Sequence, residues 1–305
     1  MENFFYYLIS GLCLGAIVAL VAVGYTLVYG IIKLINFAHS EFFMAGAYAG
    51  YGVYLLLGER SSPLLTIPVI LLASGLASAI IAVLTEIVAY KPVRRSGRLA
   101  ALLTAIGVSI FLQNMFAFIE RAQPLQYPCT VKGTIGELAQ RTITIGKDRF
   151  LAIRFVYLIV AILFSIVLWF IVNKTRFGKA MRAVSEDPET ASLMGINLDV
   201  IIRGTFALGG FMAGVAGTLI GFQSTIEPYM GFMPGIKAFV AAVLGGIGNI
   251  PGAIIGGFIM GIIESMVVWV GIPTSYKDAS ALVVLILVLT IKPTGLFGKP
   301  VHEKV

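Results

Sequence analysis

The sequence contains few of the residues on which catalytic and metal-binding sites depend. Among 305 residues there are 2 cysteines and 2 histidines, and charged residues make up 12% of the chain. Cys13 falls inside the first apolar run and Cys129 in a polar loop, so we predict neither a structural disulfide nor a metal-ligand cluster. His39 and His302 leave histidine catalysis with one serious candidate and no evident partner. We therefore do not expect this chain to catalyse a reaction.

Nucleotide-binding and hydrolase signatures are also missing. The nearest approach to a P-loop is the run from Gly295 to Pro300, which has two residues between its glycines where four are needed. Proline also occupies the place of the magnesium-binding hydroxyl. The sequence has no G-x-S-x-G, H-E-x-x-H or C-x-x-C motif. We expect that this chain binds no cofactor of its own.

Apolar segments are what the sequence has in abundance. Hydrophobic residues make up 58% of the chain and the mean hydropathy is +0.96, values typical of polytopic membrane proteins. A span needs ~20 apolar residues, so the chain has room for about eight or nine crossings and no sizeable further domain. The sequence predicts an all-α membrane helix bundle in one domain, residues 1–305, with lipid as its surroundings. The first apolar run lacks a basic leader and a cleavage-like site, so we expect it to be retained.

Nine apolar segments are candidate spans. Their approximate limits are Phe4–Ile32, Phe42–Leu57, Leu64–Tyr90, Leu99–Ile119, Phe150–Val172, Val200–Gly221, 236–248, Ile254–Val270 and Ala279–Ile291. Three of them carry small residues at four-residue spacing, which allows close approach of helices in lipid. These pairs are Gly11 with Gly15, Gly210 with Gly214, and Gly257 with Gly261.

The formal charge of +7 is carried by short basic clusters beside the apolar runs. Such clusters indicate membrane orientation rather than a nucleic-acid surface. Those at 91–98 and 174–182 are predicted to be cytoplasmic, and the two spans between them agree in parity. Counting from them places the N-terminus and loop 120–150 outside and the C-terminal tail in the cytoplasm. Within that loop, the alternation at Thr142–Ile145 predicts a small hairpin.

Two polar interruptions in opposite halves of the chain predict broken or re-entrant helices. One is NFAHSE at 36–41 and the other is GGIGNIP at 245–251, and a glycine-rich apolar run follows each. Paired breaks of this kind are typical of transporters with an internal inverted repeat, in which the breaks lie near the substrate path. The candidate path residues are Asn36, His39, Glu41, Gly245, Gly246, Asn249, Pro251 and Glu264.

Individual charges within this set have different expected roles. His39 and Glu41 either line or gate the path or lie hydrated at the membrane edge, and the bend beside them favours the hydrated edge. Glu264 lies inside an apolar run, where a charge is costly, so we predict an internal partner such as Lys237. Glu86 is predicted to pair with the basic 91–98 loop.

Residues 174–199 form a polar insert with its own helical pattern. Helical spacing over Gly178–Ser185 predicts one helix, and Asp187 is placed to cap a second helix that has Pro188 at its first position. Gly195 suits the left-handed conformation that ends a helix. These residues alone leave two interpretations open: an ordinary capped connector, or a contact for a cytoplasmic partner.

The insert also carries a resemblance to a known family. GKAMRAVSEDPETASLMGIN (178–197), with the following TFALGGFMAGVAGTLIG, resembles the cytoplasmic loop and next span of permease subunits of branched-chain amino acid ABC importers. INFAH (35–39), AIGVSIFLQN (105–114), AAVLGGIGNIPGAIIGG (241–257) and KPTGLFG (292–298) are similar to segments of that family in the same order. The chain looks like the shorter of the two paired permeases. Ser40-Glu41 stands where Gly-Asp is common in the family.

The resemblance implies an ATP-driven importer in a bacterial inner membrane. Its other parts would be a second homologous permease, two ATPases that bind Mg-ATP, and an extracytoplasmic substrate-binding protein. The 178–196 loop would be the element that couples to an ATPase. The coupling residues would be Gly178, Ala180, Arg182, Asp187, Pro188, Ala191 and Gly195. A urea or short-chain amide importer of the same family is an alternative, as is a stand-alone secondary transporter or channel, which would need no coupling loop.

Overall fold

The structure is a computed structural model. It describes residues 4–34, 36–57, 63–94, 96–121, 123–127, 137, 140–145, 148–292 and 294–298. Several predictions fall outside these residues. They concern Cys129, the central part of loop 120–150, and His302 with the rest of the tail from residue 299.

Long helices form nearly all of the described chain, so the predicted all-α membrane fold is confirmed. The helices are α1 (Phe4–Ile32), α2 (His39–Leu57), α3 (Pro63–Thr85), α4 (Arg98–Ile119), α5 (Ala152–Lys174), α6 (Arg176–Glu186), α7 (Pro188–Leu193), α8 (Leu198–Gly221), α9 (Phe232–Gly245), α10 (Ile250–Trp269) and α11 (Lys277–Ile291). A π turn at Glu86–Tyr90 and a further turn at Lys91–Val93 extend α3. The predicted hairpin is present as β1 (Thr142–Ile145) paired antiparallel with β2 (Asp148–Leu151).

Seven helices in the described part of the chain are long and apolar enough to cross a membrane. They are α1, α3, α4, α5, α8, α10 and α11. The other two predicted segments are α2, whose 19 residues begin with His-Ser-Glu, and α9, which has 14 residues. At 1.5 Å per residue, α9 covers roughly 21 Å, which is less than the ~30 Å of a bilayer core. Helix α9 is therefore the short segment that the sequence predicts at 236–248.

Helix α1 runs through the middle of the bundle and packs closely on α10. Gly11 lies against Gly261, and Gly15 lies against Gly257, so near that a Cβ added at any of these glycines would overlap backbone atoms of the other helix. The predicted small-residue pairs of the two halves therefore meet each other. Helix α1 also contacts α5, α6, α8 and α9.

Helices α2, α3 and α8 pack together, and α8 also packs on α1. Gly214 of α8 lies against Ser78 of α3, as the small-residue spacing predicts. The buried hydroxyls in this layer find backbone partners: Ser78 donates to the Phe42 carbonyl at 2.7 Å, and Thr218 donates to the Gly46 carbonyl at 3.0 Å. Only 11% of the most apolar stretch of α4 and of α11 is buried within the chain, so these two helices lie at the periphery.

Both predicted helix breaks are present. After α1 the chain turns at Lys33, whose φ is 57°, and α2 begins at His39. The His39 imidazole lies against Gly24, about 12 Å along α1 from its end at Ile32. His39 and Glu41 are each 0% exposed. The preferred expectation of a hydrated membrane edge is thus wrong, because the chain folds back into the bundle before α2 starts.

The second break separates α9 from α10. Gly246 and Gly248 have φ values of 99° and 92°, in the left-handed region that glycine adopts without strain. The segment 294–298 packs on this break: the Leu296 amide donates to the Leu244 carbonyl at 2.8 Å, and the Phe297 amide donates to the Gly245 carbonyl at 3.2 Å. The tail after α11 and the second break therefore lie at the same end of the bundle.

Candidate functional site

The polar insert forms two short helices with the predicted caps. The Asp187 side chain accepts hydrogen bonds from the backbone amides of Glu189 at 3.0 Å and Thr190 at 3.1 Å, at the start of α7. Pro188 is the first residue of α7, and Gly195, with φ 83°, follows its end. Local capping rules thus account for the corner between α6 and α7.

Helix α6 is seated directly on the end of α5. Gly178 is buried, and a Cβ there would overlap the Val172 carbonyl. The Arg182 guanidinium donates to that same carbonyl. Met181 and Val184 of α6 are also buried, while Ala180 is half-buried. The resemblance implies that Arg182 is a coupling residue. In the structure its guanidinium has an acceptor within the chain, and this hydrogen bond fixes α6 to α5.

The outer end of the insert exposes two large apolar side chains, Leu193 and Met194, which we call the apolar tip. Leu193 is 88% exposed and Met194 is 79% exposed, whereas Ala191 in the same helix is 5% exposed. Sequence analysis did not single out these two residues. The pattern that could have identified them is an apolar pair at the end of a polar helix, opposite a small buried residue.

A cluster of ion pairs lies at the same end of α8 as the insert. Arg94 contacts the Glu86 carboxylate, which is 0% exposed, and Arg203 lies 3.4 Å from it. Asp199, near the start of α8, pairs with Lys91 at 2.6 Å and with Arg94 at 3.0 Å. The predicted pairing of Glu86 with the basic loop is confirmed, and that loop adjoins the insert.

A cavity of about 230 Å³ lies between α1, α2, α4 and α9. Its polar wall consists of Ser40, Ser109 and Gln113. The other lining residues are Tyr25, Phe37, Ile106, Ile110, Phe232, Gly235, Ile236 and Phe239. Among the residues that sequence analysis proposed for the path none lines this cavity, although Glu41 lies directly behind its polar wall.

Glu41 receives hydrogen bonds from that wall. Its Oε1 accepts from the Ser109 hydroxyl at 2.8 Å and from the Gln113 amide at 2.9 Å, and the Ser40 hydroxyl is 3.0 Å away. Across the described ranges, no lysine, arginine or histidine forms an ion pair with Glu41. The carboxylate thus has neutral donors and no compensating cation there.

Asn36 and His39 hold the first break together. The Asn36 Oδ1 accepts from the Ala38 amide at 3.0 Å and from the Tyr90 hydroxyl at 2.5 Å. The His39 ring packs on Tyr25, with 4.5 Å between centroids. Both side chains are buried, so they stabilise the bend after which Ser40 lines the cavity and Glu41 lies behind its polar wall.

The second break serves a similar structural purpose. The Asn249 Oδ1 accepts from the Gly252 amide at 3.2 Å and so caps α10, and its amide group donates to the Phe297 carbonyl at 3.1 Å. Pro251 lies in the first turn of α10. A Cβ at Gly245 would overlap the Gly252 carbonyl, so the glycines permit a tight approach of α9 to α10.

Glu264 has the partner that the sequence predicts. Its carboxylate lies 2.7 Å from the Lys237 ammonium and 3.3 Å from that of Lys277, and Lys237 also lies 2.6 Å from Asp278. The network joins α9, α10 and α11 on a side of α9 away from the cavity lining. It holds helices together rather than facing the cavity.

Comparisons with known proteins give one consistent result. The family model described as branched-chain amino acid transport system / permease component matches residues 7–289. The chain is 44% identical over 317 residues to the high-affinity branched-chain amino acid transport system permease protein LivH of Salmonella typhimurium, covering 100% of this chain and 99% of that protein. It is 40% identical over 315 residues, 100% of each chain, to the BraD permease protein of Pseudomonas aeruginosa. No solved structure matches.

Proposed function

The chain belongs to the branched-chain amino acid transport system permease family, and from this premise we propose that it is the membrane-spanning permease of an importer for leucine, isoleucine and valine. Relatives whose names state branched-chain amino acid transport are similar along their whole length, which supports this substrate class. The cavity has a largely apolar wall, which suits aliphatic side chains.

The importer would contain further subunits. A second related permease would cover the exposed face of α4 or α11, since each of these helices is only 11% buried in its apolar window. Two ATPases would bind and hydrolyse Mg-ATP, and an extracytoplasmic binding protein would deliver the amino acid. ATP hydrolysis would then drive the permease pair between outward- and inward-facing states.

The observation that carries the ATP-driven part of this proposal is the α6–α7 unit. Both helices are capped, α6 is fixed to the end of α5, and the unit ends in the apolar tip. Exposed apolar side chains on a polar surface are typical of a protein contact site. An ATPase that binds Leu193 and Met194 would push on a stiff element joined to α5 and α8.

The proposed orientation follows from charge. Lys91 and Arg94 lie at the end of the bundle where α8 begins. Lys174 is the last residue of α5, and Arg176 and Lys179 belong to α6. Basic residues next to spans are concentrated on the cytoplasmic side. We therefore propose that the α6–α7 unit and the tail are cytoplasmic, and that the N-terminus and the β1–β2 hairpin are outside.

Uptake by the assembled complex tests the proposal. The chain would be expressed with its partner subunits in a bacterium that has lost its own branched-chain amino acid and urea uptake. We expect saturable leucine uptake that isoleucine and valine inhibit and that an ATPase unable to hydrolyse ATP abolishes. Uptake of urea without leucine would contradict the substrate, and leucine uptake without the ATPases would identify a stand-alone transporter.

A further inference from the structure

We propose that the cavity beside Glu41 binds the amino acid in transit, with the polar wall receiving its ammonium group and the apolar wall, formed by the other lining residues, its aliphatic side chain. This inference rests on the proposed function, because it assigns chemistry to a step of that transport. Two independent observations carry it: a buried carboxylate without a cation, and a small cavity lined by three polar and by several apolar side chains.

The hydrogen-bond directions at the polar wall determine which groups face a ligand. Ser109 donates its hydroxyl proton to Glu41, and Gln113 donates one of its two amide protons to the same carboxylate. The lone pairs of the Ser109 hydroxyl and the carbonyl of the Gln113 amide are left as acceptors. An ammonium group has three donors and no acceptor, so it can donate to both of these oxygens.

The charge behind the wall has the correct sign for the same ligand. Glu41 is 0% exposed and lies in the first turn of α2, where the helix N-terminus stabilises negative charge. The lysine of the cavity-lining helix α9, Lys237, is already paired with Glu264 and Asp278. Within the described chain, an ionised Glu41 would therefore carry a negative charge that the ammonium group of a ligand can compensate.

The apolar wall has the complementary shape and composition. Ile106 and Ile110 of α4 face Phe232, Ile236 and Phe239 of α9 across the cavity. A cavity of about 230 Å³ suits a small ligand, since pockets for drug-sized molecules are about 300–1,000 Å³. A neutral polar molecule such as urea would gain little from these side chains.

A binding experiment with simplified probes tests the ammonium site directly. The full complex would be placed in lipid nanodiscs and titrated with isoamylamine, which is protonated at neutral pH, and with isoamyl alcohol. Empty nanodiscs would correct for partition into lipid. We expect the wild-type complex to prefer the amine by at least about tenfold, as for a charge-assisted hydrogen bond. Equal binding of the two probes would overturn the proposal.

Glu41→Gln tests whether this carboxylate causes the preference for the amine, because it removes the charge and keeps the size of the side chain. We expect it to abolish the preference for the amine, whereas the matched control Glu227→Gln, at an exposed glutamate, keeps it. If Glu41→Gln does not enter the membrane, Gln113→Leu, at a half-buried wall position, replaces it with the same expectation. An amine preference that survives in the variant would refute the assignment.

Leucine uptake separates a failure of this inference from a failure of the proposed function. We expect Glu41→Gln to lower uptake at least about tenfold. Wild-type uptake together with undiminished uptake by the variant would refute the ammonium site and leave the proposed function standing. A wild-type complex that prefers the amine but takes up no leucine would refute the proposed substrate and leave the cationic site standing.

Discussion

The buried carboxylates of this bundle fall into two kinds. Glu86 and Glu264 each lie within 3.4 Å of a lysine or arginine, whereas Glu41 has only neutral donors among the described residues. An ion pair offsets the cost of removing both charges from water, and removal of one partner leaves the other uncompensated. Glu86 and Glu264 therefore connect helices, while the charge of Glu41 is available to a ligand.

The Glu264 network predicts a large difference between two lysine substitutions. Lys237→Met should lower the free energy of unfolding by about 3 kcal/mol, because it leaves Glu264, 2% exposed, without its nearest cation. Lys277→Met should cost less than about 1 kcal/mol, since that side chain is 27% exposed and more distant at 3.3 Å. Thermal unfolding in nanodiscs measures both changes.

A double substitution controls for lost packing. Lys237→Met combined with Glu264→Met removes both charges and should recover most of the stability that the single lysine substitution loses. Equal losses in the two single lysine variants, or no recovery in the double variant, would show that the network does not act as an ion pair.

Residues differ in how far the sequence predicts their surroundings. A charge inside an apolar run must find a partner, so the pairing of Glu264 with Lys237 could be predicted from the position of each residue. His39 and Glu41 lie only six and eight residues after Lys33, but their depth depends on a turn that brings them against Gly24 of α1. That depth is a property of tertiary packing, and the local sequence suggests a membrane edge instead.

At the scale of elements, α6 and α7 act as one rigid unit because their ends are fixed. Thr175 accepts from the Gly178 amide at 3.2 Å at the start of α6, and Asp187 ends α6 and caps α7. Nearly all of this could be predicted from caps and from Asp187-Pro188. The contact of α6 with the end of α5 could not, because it depends on a backbone approach that only the fold shows.

That approach predicts opposite effects for two glycine substitutions. Gly178→Ala should destabilise the α5–α6 contact by about 1–3 kcal/mol, because its methyl group overlaps the Val172 carbonyl. Gly52→Ala, in α2, has no atom within 4 Å of the added Cβ and should be neutral or stabilising by up to about 1 kcal/mol.

Protease sensitivity of the insert in membranes measures this difference. We expect the Gly178→Ala chain to be cleaved within 174–199 much faster than the wild type, with the Gly52→Ala chain as the matched control. Identical cleavage of the three chains would mean that α6 does not depend on the close approach.

At the scale of the whole molecule, α1 connects the two functional regions. It contacts α6 near the proposed ATPase surface, and its Tyr25 forms part of the cavity wall. A displacement of α6 can therefore reach the cavity through one continuous, largely buried helix. The sequence predicts α1 as a span, but its central place follows from its small residues meeting those of α10, a pairing between distant segments.

Cysteine labelling tests the proposed orientation. In a chain with Cys13→Ala and Cys129→Ser, Thr144→Cys in β1 should react with a membrane-impermeant maleimide in intact spheroplasts. Ser96→Cys, at the basic end of the bundle, should react only after permeabilisation. Both positions are exposed. The reverse pattern would invert the orientation and place the α6–α7 unit outside.

The most direct measurement of the central claim, that this permease receives work through the apolar tip, is ATP-dependent leucine uptake by the purified complex in proteoliposomes. Leu193→Asp and Leu193→Met change the same side chain, which is 88% exposed in this chain, so neither substitution disturbs the described core. We predict that Leu193→Met transports like the wild type. Leu193→Asp should lower leucine uptake at least about tenfold, because it removes one leucine contact that would be buried against the ATPase. Equal uptake by Leu193→Asp and Leu193→Met would contradict the coupling role of the tip.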